Sequence, residues 1–275
     1  MSNGDLILDE LRSGTEIIHT FIPGNKFDYR EIKCSAVDGL AIFEGDILLG
    51  TANEMRSRSS PFDIPFDFGI PDTTEEEISS RGIVRTGRRF RWPMRKIPYS
   101  IDPNLANKDR VTNAIKHWED ITSFQFVRRG SEGSARHNNY ISFENQGGCF
   151  SAVGMQGTGK QVISLGPNCT TGNAIHEIGH ALGLWHEQSR EDRDRYIKVL
   201  WQNIEQNKWH NFEQHIVDGD DIGPYDYGSI MHYPRKAFSK NGQDTITPLR
   251  SQEIGQRSGL SKNDILTIES VYASI

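Results

Sequence analysis

The feature that most constrains this chain is the run from His176 to Glu187, His-Glu-Ile-Gly-His-Ala-Leu-Gly-Leu-Trp-His-Glu. Histidines four residues apart lie on one face of a helix, so His176 and His180 can bind a single Zn²⁺. Gly183 can end that helix, because glycine accepts the left-handed conformation that a helix end often needs, and His186 can then return as a third ligand. A coordination position stays open for water, which distinguishes a reactive zinc site from a closed structural one.

Glu177 follows the first histidine and is rotated roughly 100° around the helix, so its carboxylate should point beside the metal. Zinc lowers the pKa of bound water toward 7, and a carboxylate in this position can take the proton as a general base. The resulting hydroxide can attack a peptide carbonyl, and Glu177 can return the proton to the leaving amine. We therefore predict one catalytic Zn²⁺ in this chain. The other histidines are expected to be ordinary surface or core residues: His19, His117, His137, His210, His215 and His232.

The chain is predicted to contain two units that meet in an arginine-rich stretch. Its 275 residues can bury one full-sized core and leave room for a smaller appendage. Residues 1–81 combine short apolar runs with prolines and the acidic run Glu75–Glu77, which predicts an extended, loosely structured arm. The arginines that follow are either a solvated basic stretch or cutting points for a trypsin-like protease: Arg81, Arg85, Arg88, Arg89 and Arg91. Because the composition changes directly afterwards, we assign residues 1–81 to a pro-segment and residues 82–275 to a catalytic domain.

The pattern beyond this boundary predicts an α+β domain. Apolar residues recur at three- and four-residue steps from residue 108 to 121, which predicts an amphipathic helix. Short alternating or apolar runs predict strands at residues 124–127, 140–143 and 162–165. Further helices are predicted at residues 171–182 and 261–271, the last one begun by the capping pair Ser261 and Asp264. Turn residues dominate between these two helices, so we expect an ordered first half and an irregular second half.

The zinc motif and its surroundings resemble the metzincin endopeptidases, and among these the astacin family. The run Ser229-Ile-Met-His-Tyr233 matches the Met-turn of that class. The glutamate after the third histidine, the run His186-Glu-Gln-Ser-Arg190 and the Met-His-Tyr of the turn are similar to astacins, and the resemblance covers about residues 92–272. It implies a twisted, mostly parallel sheet with two helices in the N-terminal half, a cleft that holds the zinc, and an irregular C-terminal half that ends in a helix.

The resemblance also implies roles for single residues. In astacins the tyrosine of the Met-turn, here Tyr233, binds the resting zinc and swings away to stabilise the oxyanion during turnover. Met231 would form an apolar floor under the metal, a role that is compatible with simple core packing. Glu187 would receive the new N-terminus through a buried, water-linked contact, so that removal of the pro-segment reshapes the lower half of the domain.

The chain has three cysteines, Cys34, Cys149 and Cys169, and their spacing alone proves no pairing. A bridge between Cys149 and Cys169 would close a loop of about twenty residues and contribute roughly 3 kcal/mol. It would also imply an oxidising compartment. The resemblance implies this pair, because both positions match the short disulfide of the astacins. A second family disulfide is missing, since Ser123 occupies one of its positions and the C-terminal end has no partner cysteine.

A second motif, Phe43-Glu-Gly-Asp-Ile47, points to latency. It resembles the astacin pro-segment motif whose aspartate binds the zinc and displaces the catalytic water, which makes Asp46 the expected latency ligand. An ordinary aspartate in a turn after Gly45 is the structural alternative. Cys34 is the competing ligand, because a thiolate binds zinc well and this cysteine is left over.

Together these patterns predict a zinc-dependent endopeptidase made as a latent zymogen and acting as a monomer. Its expected partners are protein or peptide substrates and an activating protease that cuts between Arg81 and Arg89. An inactive metzincin scaffold used for binding or adhesion is the main alternative, but a scaffold has no need of Glu177 beside the metal. A zinc amidase acting on small molecules is a third possibility, disfavoured because the astacin-like lower half suits extended peptides.

Charge and hydropathy argue against other classes. A net charge of −6 disfavours nucleic acid or an anionic membrane surface as the main partner. No stretch reaches the roughly eighteen apolar residues that a membrane span requires. The first ten residues lack the basic and then apolar pattern of a secretion signal, so we expect a secreted protein whose signal is not contained in this sequence.

Overall fold

The computed structural model describes residues 10–23, 29–60, 82–130, 138–215 and 219–273. Its α-helices are α1 (Ala52–Ser57), α2 (Asp109–Ile121), α3 (Thr171–Leu182) and α4 (Lys262–Val271). Its strands are β1 (Ile17–Pro23), β2 (Tyr29–Val37), β3 (Leu40–Phe43), β4 (Ile47–Thr51), β5 (Gly82–Arg85), β6 (Lys96–Ile101), β7 (Gln125–Arg128), β8 (Tyr140–Glu144), β9 (Cys149–Ser151), β10 (Lys160–Leu165), β11 (Ile197–Val199), β12 (Gly219–Ile222) and β13 (Ile246–Pro248). None of the helices in these ranges is long and apolar enough to cross a bilayer.

The main sheet has nine strands in the order β1-β2-β3-β4-β9-β10-β8-β6-β7. Within residues 82–275, the predicted catalytic domain, β7, β6, β8 and β10 run parallel to one another, and β9 is antiparallel to β10. Helices α2 and α3 pack together against this part of the sheet, where the Trp118 indole donates to the Ile175 carbonyl at 3.2 Å. The predicted mostly parallel sheet with two helices is therefore confirmed.

The helices predicted from periodicity are confirmed, and their ends differ from the prediction by one residue at most. Helix α3 begins at a capping box between Thr170 and Asn173, and Gly183 ends it in the left-handed conformation with φ 112°. Ser261 and Asp264 form the predicted capping box of α4. Residues 187–215 and 219–260 contain short 3₁₀ turns and the three short strands β11, β12 and β13, so the second half is irregular as expected.

Residues 1–81, here called the N-terminal segment, were expected to form an extended, loosely structured arm, and this expectation is wrong for the described part. Strands β1 to β4 form an antiparallel meander that extends the main sheet, and β4 joins β9 in parallel through Ile47 and Ser151. Alternate residues of β2, Ile32 and Cys34, are buried, so the short apolar run has the period of a half-buried strand. The proline-rich and acidic stretch that suggested disorder falls within residues 61–81, outside the described residues.

The N-terminal segment and the catalytic domain also share a hydrophobic cluster. Ile18, Phe43 and Met55 from the N-terminal segment pack with Val153 and Trp185 from the catalytic domain. The rings of Phe43 and Trp185 meet edge to face, with centroids 6.4 Å apart. The N-terminal segment is therefore folded onto the domain through both backbone pairing and apolar contact.

Candidate metal centre

Helix α3 and the chain after it bring the three predicted histidines together. His176 and His180 lie one turn apart on α3, with ring centroids 4.7 Å apart, and His186 returns after the helix ends. All three side chains are completely buried. One nitrogen of each, together with one carboxylate oxygen of Asp46, lies within 4.8 Å of the others.

The outer ring nitrogens determine which atoms face the centre of this cluster. Nδ1 of His176 donates to the Ile230 carbonyl at 2.8 Å, and Nδ1 of His180 donates to the Leu184 carbonyl at 2.8 Å. A carbonyl acceptor at Nδ1 fixes the proton there, so the Nε2 atoms face inward as bare acceptors. This is the tautomer that a metal requires.

The donor set fits a single Zn²⁺. The nearest Asp46 carboxylate oxygens lie 3.3 Å from Nε2 of His176, 3.7 Å from that of His180 and 3.0 Å from that of His186. Two ligands of a tetrahedral zinc with bonds of 2.0–2.1 Å are about 3.3 Å apart, so these separations suit one shared ion. Asp46 Oδ1 and His180 Nε2 are buried and have no hydrogen-bond partner within the described ranges. Such atoms are costly to bury unless a cation satisfies them.

Asp46 reaches the histidines from the tip of the hairpin that joins β3 to β4. Glu44 and Gly45 both have positive φ, 45° and 80°, which reverses the chain tightly. Gly45 is required by packing as well, because a Cβ there would lie 2.8 Å from the ring of Phe238. Burial would raise the pKa of Asp46, but the charge of His186 holds it well below its usual range. The tip thus carries an ionised carboxylate into the site.

Glu177 lies on α3 next to the first histidine and is completely buried. Neither of its carboxylate oxygens has a hydrogen-bond partner in the part of the chain that the structure describes. Burial raises the pKa of Glu177 well above its ordinary range, and the nearby Asp46 charge raises it further. A buried carboxylate with a raised pKa and no protein partner can accept a proton from water held at the histidines.

The Met-turn places its two predicted residues against the histidine cluster. A Cβ on Gly179 of α3 would lie 2.9 Å from Sδ of Met231, so this sulfur packs directly on the helix backbone. The Tyr233 ring is 4.7 Å from the His186 ring, and its hydroxyl donates to the Glu44 carbonyl. The tyrosine that the resemblance assigns to resting zinc is therefore bonded to the N-terminal segment in this structure.

Glu187 is buried and accepts a hydrogen bond from the Asp226 backbone N–H at 2.7 Å. Nε of Arg190 lies 3.8 Å from the same carboxylate. Burial raises the pKa of Glu187 to about 8, although Arg190 opposes this. Arg190 also donates to the Gly82 carbonyl at 2.9 Å, so the first residue after Arg81 is linked to Glu187 through one side chain.

The cysteines are separated into a disulfide and a buried thiol. Cys149 and Cys169 are bonded and join β9 to the loop before α3, which confirms the pair that the resemblance implied. Cys34 lies in β2, where its Sγ contacts the Ile18 carbonyl at 3.8 Å and burial raises its pKa to about 12. The structure brings Asp46 to the histidines and leaves Cys34 in the strand.

The sequence analysis does not identify a second group of interacting side chains beside the histidine cluster, formed by Glu44, Ser189 and His215. The Glu44 carboxylate is completely buried and accepts hydrogen bonds from His186 Nδ1 at 2.7 Å, Ser189 Oγ at 2.8 Å and His215 Nε2 at 3.0 Å. Burial would raise the pKa of Glu44, but the hydrogen bonds that His186 and His215 donate hold it below its usual range. His215 is a buried core residue, as expected, and its partner Glu44 is what the sequence does not reveal; His137 lies outside the described residues. Only the position of Glu44, two residues before Asp46, is a signal that the sequence contains.

Three buried imidazoles on a helix and the turn after it, with an unpaired glutamate on the same helix, define the zinc site of a metallopeptidase of the metzincin class. A sequence model of the peptidase family Astacin matches residues 84–273. The chain belongs to the astacin family of zinc metalloendopeptidases, and its cofactor is one Zn²⁺.

The chain is also similar in sequence and structure to individual zinc proteases and related proteins. Blastula protease 10 from Paracentrotus lividus is 44% identical over 240 residues, which are 84% of this chain and 38% of that protein. Low choriolytic enzyme from Oryzias latipes is 37% identical over 238 residues, which are 84% of this chain and 78% of that protein. The solved structure of high choriolytic enzyme 1, a hatching enzyme zinc-protease from the same fish, is similar with a TM-score of 0.58 and 34% identity, over 72% of this chain and 96% of that one. The chain spans half or less of the length of several curated relatives.

Proposed function

We propose that this chain is a zinc-dependent endopeptidase that hydrolyses peptide bonds in proteins, and that the structure corresponds to its latent form. His176, His180 and His186 would hold the ion through their inward Nε2 atoms. When bound, Zn²⁺ polarises the substrate carbonyl and lowers the pKa of a water molecule in the site. Glu177 takes the proton of that water and returns it to the leaving amine. A scaffold used only for binding would gain nothing from this unpaired buried carboxylate, which costs free energy to keep.

Tyr233 is proposed to stabilise the oxyanion that forms when the carbonyl is attacked. Its ring already lies beside His186, and its hydroxyl is a donor that needs a new acceptor once the Glu44 carbonyl is gone. A donor aimed at developing negative charge in a buried site lowers the barrier strongly. Met231 supports this side of the site by packing on α3 at Gly179.

The observation that carries the latency proposal is the contact of one carboxylate, that of Asp46, with the Nε2 atoms of all three histidines. A fourth protein ligand closes the position that a catalytic zinc site keeps open for water. Since Asp46 sits on a hairpin whose neighbouring strands are part of the main sheet, its placement is held by strands β1 to β4 of the proposed pro-segment. Latency would end when this segment is removed.

The proposed cleavage point is the bond after Arg81, a residue that itself lies outside the described ranges. Residues 82–85 form β5, which pairs with β12, and Ile83 and Val84 are each only 1% exposed. Arg85 donates to the Val153 carbonyl at 2.6 Å, so a cut after Arg85 would require the paired strand to open first. A cut after Arg81 leaves β5 intact and begins the mature chain at Gly82.

The substrates are proposed to be proteins or peptides outside the cell. The Cys149–Cys169 disulfide supports an oxidising compartment, where such bonds persist. The names of two relatives, a hatching enzyme zinc-protease and a low choriolytic enzyme, are in keeping with an extracellular protein target.

The test of latency is the variant Asp46→Ala, assayed without cleavage of the chain. Because the open position for water is restored, we expect hydrolysis of a fluorogenic peptide to rise by about 100-fold or more over the uncleaved parent. Glu31→Ala is the matched control, since Glu31 is an exposed carboxylate on β2 of the same segment. An uncleaved Asp46→Ala chain that stays as inactive as the parent, while the processed parent is active, would remove Asp46 from the account.

A further inference from the structure

The carboxylate of Glu44, a residue of the proposed pro-segment, is buried among side chains of the catalytic domain. It is 0% exposed, and all three groups that donate to its carboxylate, on His186, Ser189 and His215, belong to the catalytic domain. Burying an ionised carboxylate is unfavourable unless several hydrogen bonds compensate it. The site is thus built to receive this side chain from one specific loop of the pro-segment.

The direction of each hydrogen bond follows from its neighbours. Nε2 of His186 faces the Asp46 carboxylate, so the proton of its ring sits on Nδ1 when Nε2 binds a metal, and Nδ1–H donates to Glu44. Nη1 of Arg30, a cation without acceptor capacity, lies 3.2 Å from Nδ1 of His215. Nδ1 of His215 must accept there, which leaves Nε2–H to donate to Glu44.

His186 differs from the other two histidines of the cluster in the partner of its outer ring nitrogen. The outer nitrogens of His176 and His180 donate to backbone carbonyls of the catalytic domain, at Ile230 and Leu184. The outer nitrogen of His186 donates to Glu44, which belongs to residues 1–81. One hairpin tip therefore holds this imidazole on both sides, with Asp46 at Nε2 and Glu44 at Nδ1.

We propose that Glu44 is a positioning residue that orients His186 for Zn²⁺, so that the latent chain retains its metal more tightly than Asp46 alone would achieve. The inference rests on the proposed zinc site and latency. A carboxylate behind a metal-bound imidazole fixes the ring and raises the basicity of the ligating nitrogen, and loss of such a partner lowers metal affinity about 10–100-fold. Processing removes this partner together with Asp46, and the donors of His186, Ser189 and His215 then need new acceptors.

The experiment measures the rate at which a chelator removes zinc from the uncleaved, zinc-loaded chain. Glu44→Gln keeps the size of the side chain but replaces one acceptor oxygen with a donor, and we expect zinc release to become about 10–100-fold faster than in the parent. Glu31→Gln, a change of the same chemistry at an exposed position of β2, should release zinc at the parent rate. After processing, the parent and both variants yield the same mature chain and must release zinc equally fast.

A second pair of variants tests whether Glu44 acts on His186 directly or only by holding Asp46 in place. With Asp46→Ala as the background, adding Glu44→Gln should again speed zinc release about 10–100-fold, because Glu44 acts on the other side of the ring. Equal release with and without Glu44→Gln, in either background, would overturn the inference. A parent chain that binds no zinc would instead contradict the proposed function, so the two failures are distinguishable.

Discussion

At the scale of single residues, the metal centre depends on buried polar atoms whose partners come from distant parts of the chain. The Asp264 carboxylate accepts from Ser229 Oγ at 2.6 Å, from the Ile230 N–H at 2.9 Å and from the Ser261 N–H at 2.8 Å. The carbonyl of Ile230 in turn accepts from Nδ1 of His176. One aspartate therefore connects the last helix to the Met-turn and, through it, to the first metal ligand.

The raised pKa of Asp264 leads to a prediction about how the unfolding free energy depends on pH. Burial raises the pKa of Asp264 from 3.8 to about 6, so its contribution to the unfolding free energy is full below pH 3.8 and is lost as the pH rises through 6. The stability of the parent relative to Asp264→Asn, measured by urea unfolding, should therefore fall by roughly 1 kcal/mol between about pH 5 and pH 7. A difference between the two proteins that is constant over this range would show that the carboxyl group does not titrate there.

The close packing around Gly172 leads to a second prediction about a single residue. It lies in the first turn of α3, and a Cβ there would overlap the carbonyl oxygen of Arg257, a backbone atom that cannot move alone. We expect Gly172→Ala to lower the unfolding free energy by about 2 kcal/mol or more, despite the better helix propensity of alanine. Gly228→Ala is the control, because the nearest atom to its Cβ would be 3.4 Å away. Equal unfolding midpoints for the two variants would contradict this packing argument.

At the scale of secondary structure, the sequence predicts the elements that have a strong period and misses those that do not. Helices α2 and α3 and strands β8 and β10 have continuous apolar patterns, and their positions are predicted within two residues. Strand β9 has only three residues, and β5 is specified by its pairing with β12 more than 130 residues away in sequence. Such partners form through tertiary contact, which a local pattern does not contain.

The hairpin between β3 and β4 shows that part of the site also depends on tertiary contacts that a local sequence pattern does not contain. The resemblance singles out Asp46 as a ligand, and the structure places it at the histidines. The left-handed turn that presents Glu44 beside it depends on packing of Gly45 against Phe238, a residue from the irregular C-terminal half. The cluster of Glu44 with Ser189 and His215 is likewise assembled from three separate segments, so no spacing rule predicts it.

At the scale of the whole molecule, the chain folds as a catalytic domain whose main sheet is extended by its own N-terminal segment. Strands β1 to β4 continue the sheet beyond β9, and the hairpin tip between β3 and β4 reaches the three histidines. The sequence predicts two units and the chemistry of the site. It does not predict that they share one sheet, because the short strands of the N-terminal segment gain their stability from β9 and from the cluster around Trp185.

The pairing of β5, directly after the proposed cleavage point, leads to a prediction about processing. Because β5 is paired and its apolar residues are buried, we expect a trypsin-like protease to cut after Arg81, so that the mature chain begins at Gly82. Mass spectrometry of the processed protein gives this terminus directly. Arg81→Gln should block processing, whereas Arg88→Gln should leave it unchanged. A mature chain that begins at Thr86 would show that β5 opens before cleavage, and one that begins at Arg89 would show that the protease cuts beyond β5.

In the proposed mechanism, three imidazoles hold a zinc ion beside a carboxylate that activates water for peptide hydrolysis. The most direct measurement is the rate of casein hydrolysis by the processed, zinc-loaded protein and by its Glu177→Gln variant with the same zinc content. We expect the variant to be slower by about 10²–10⁴-fold, because the general base is lost while the metal site is intact. A Glu177→Gln enzyme that digests casein as fast as the parent would contradict it.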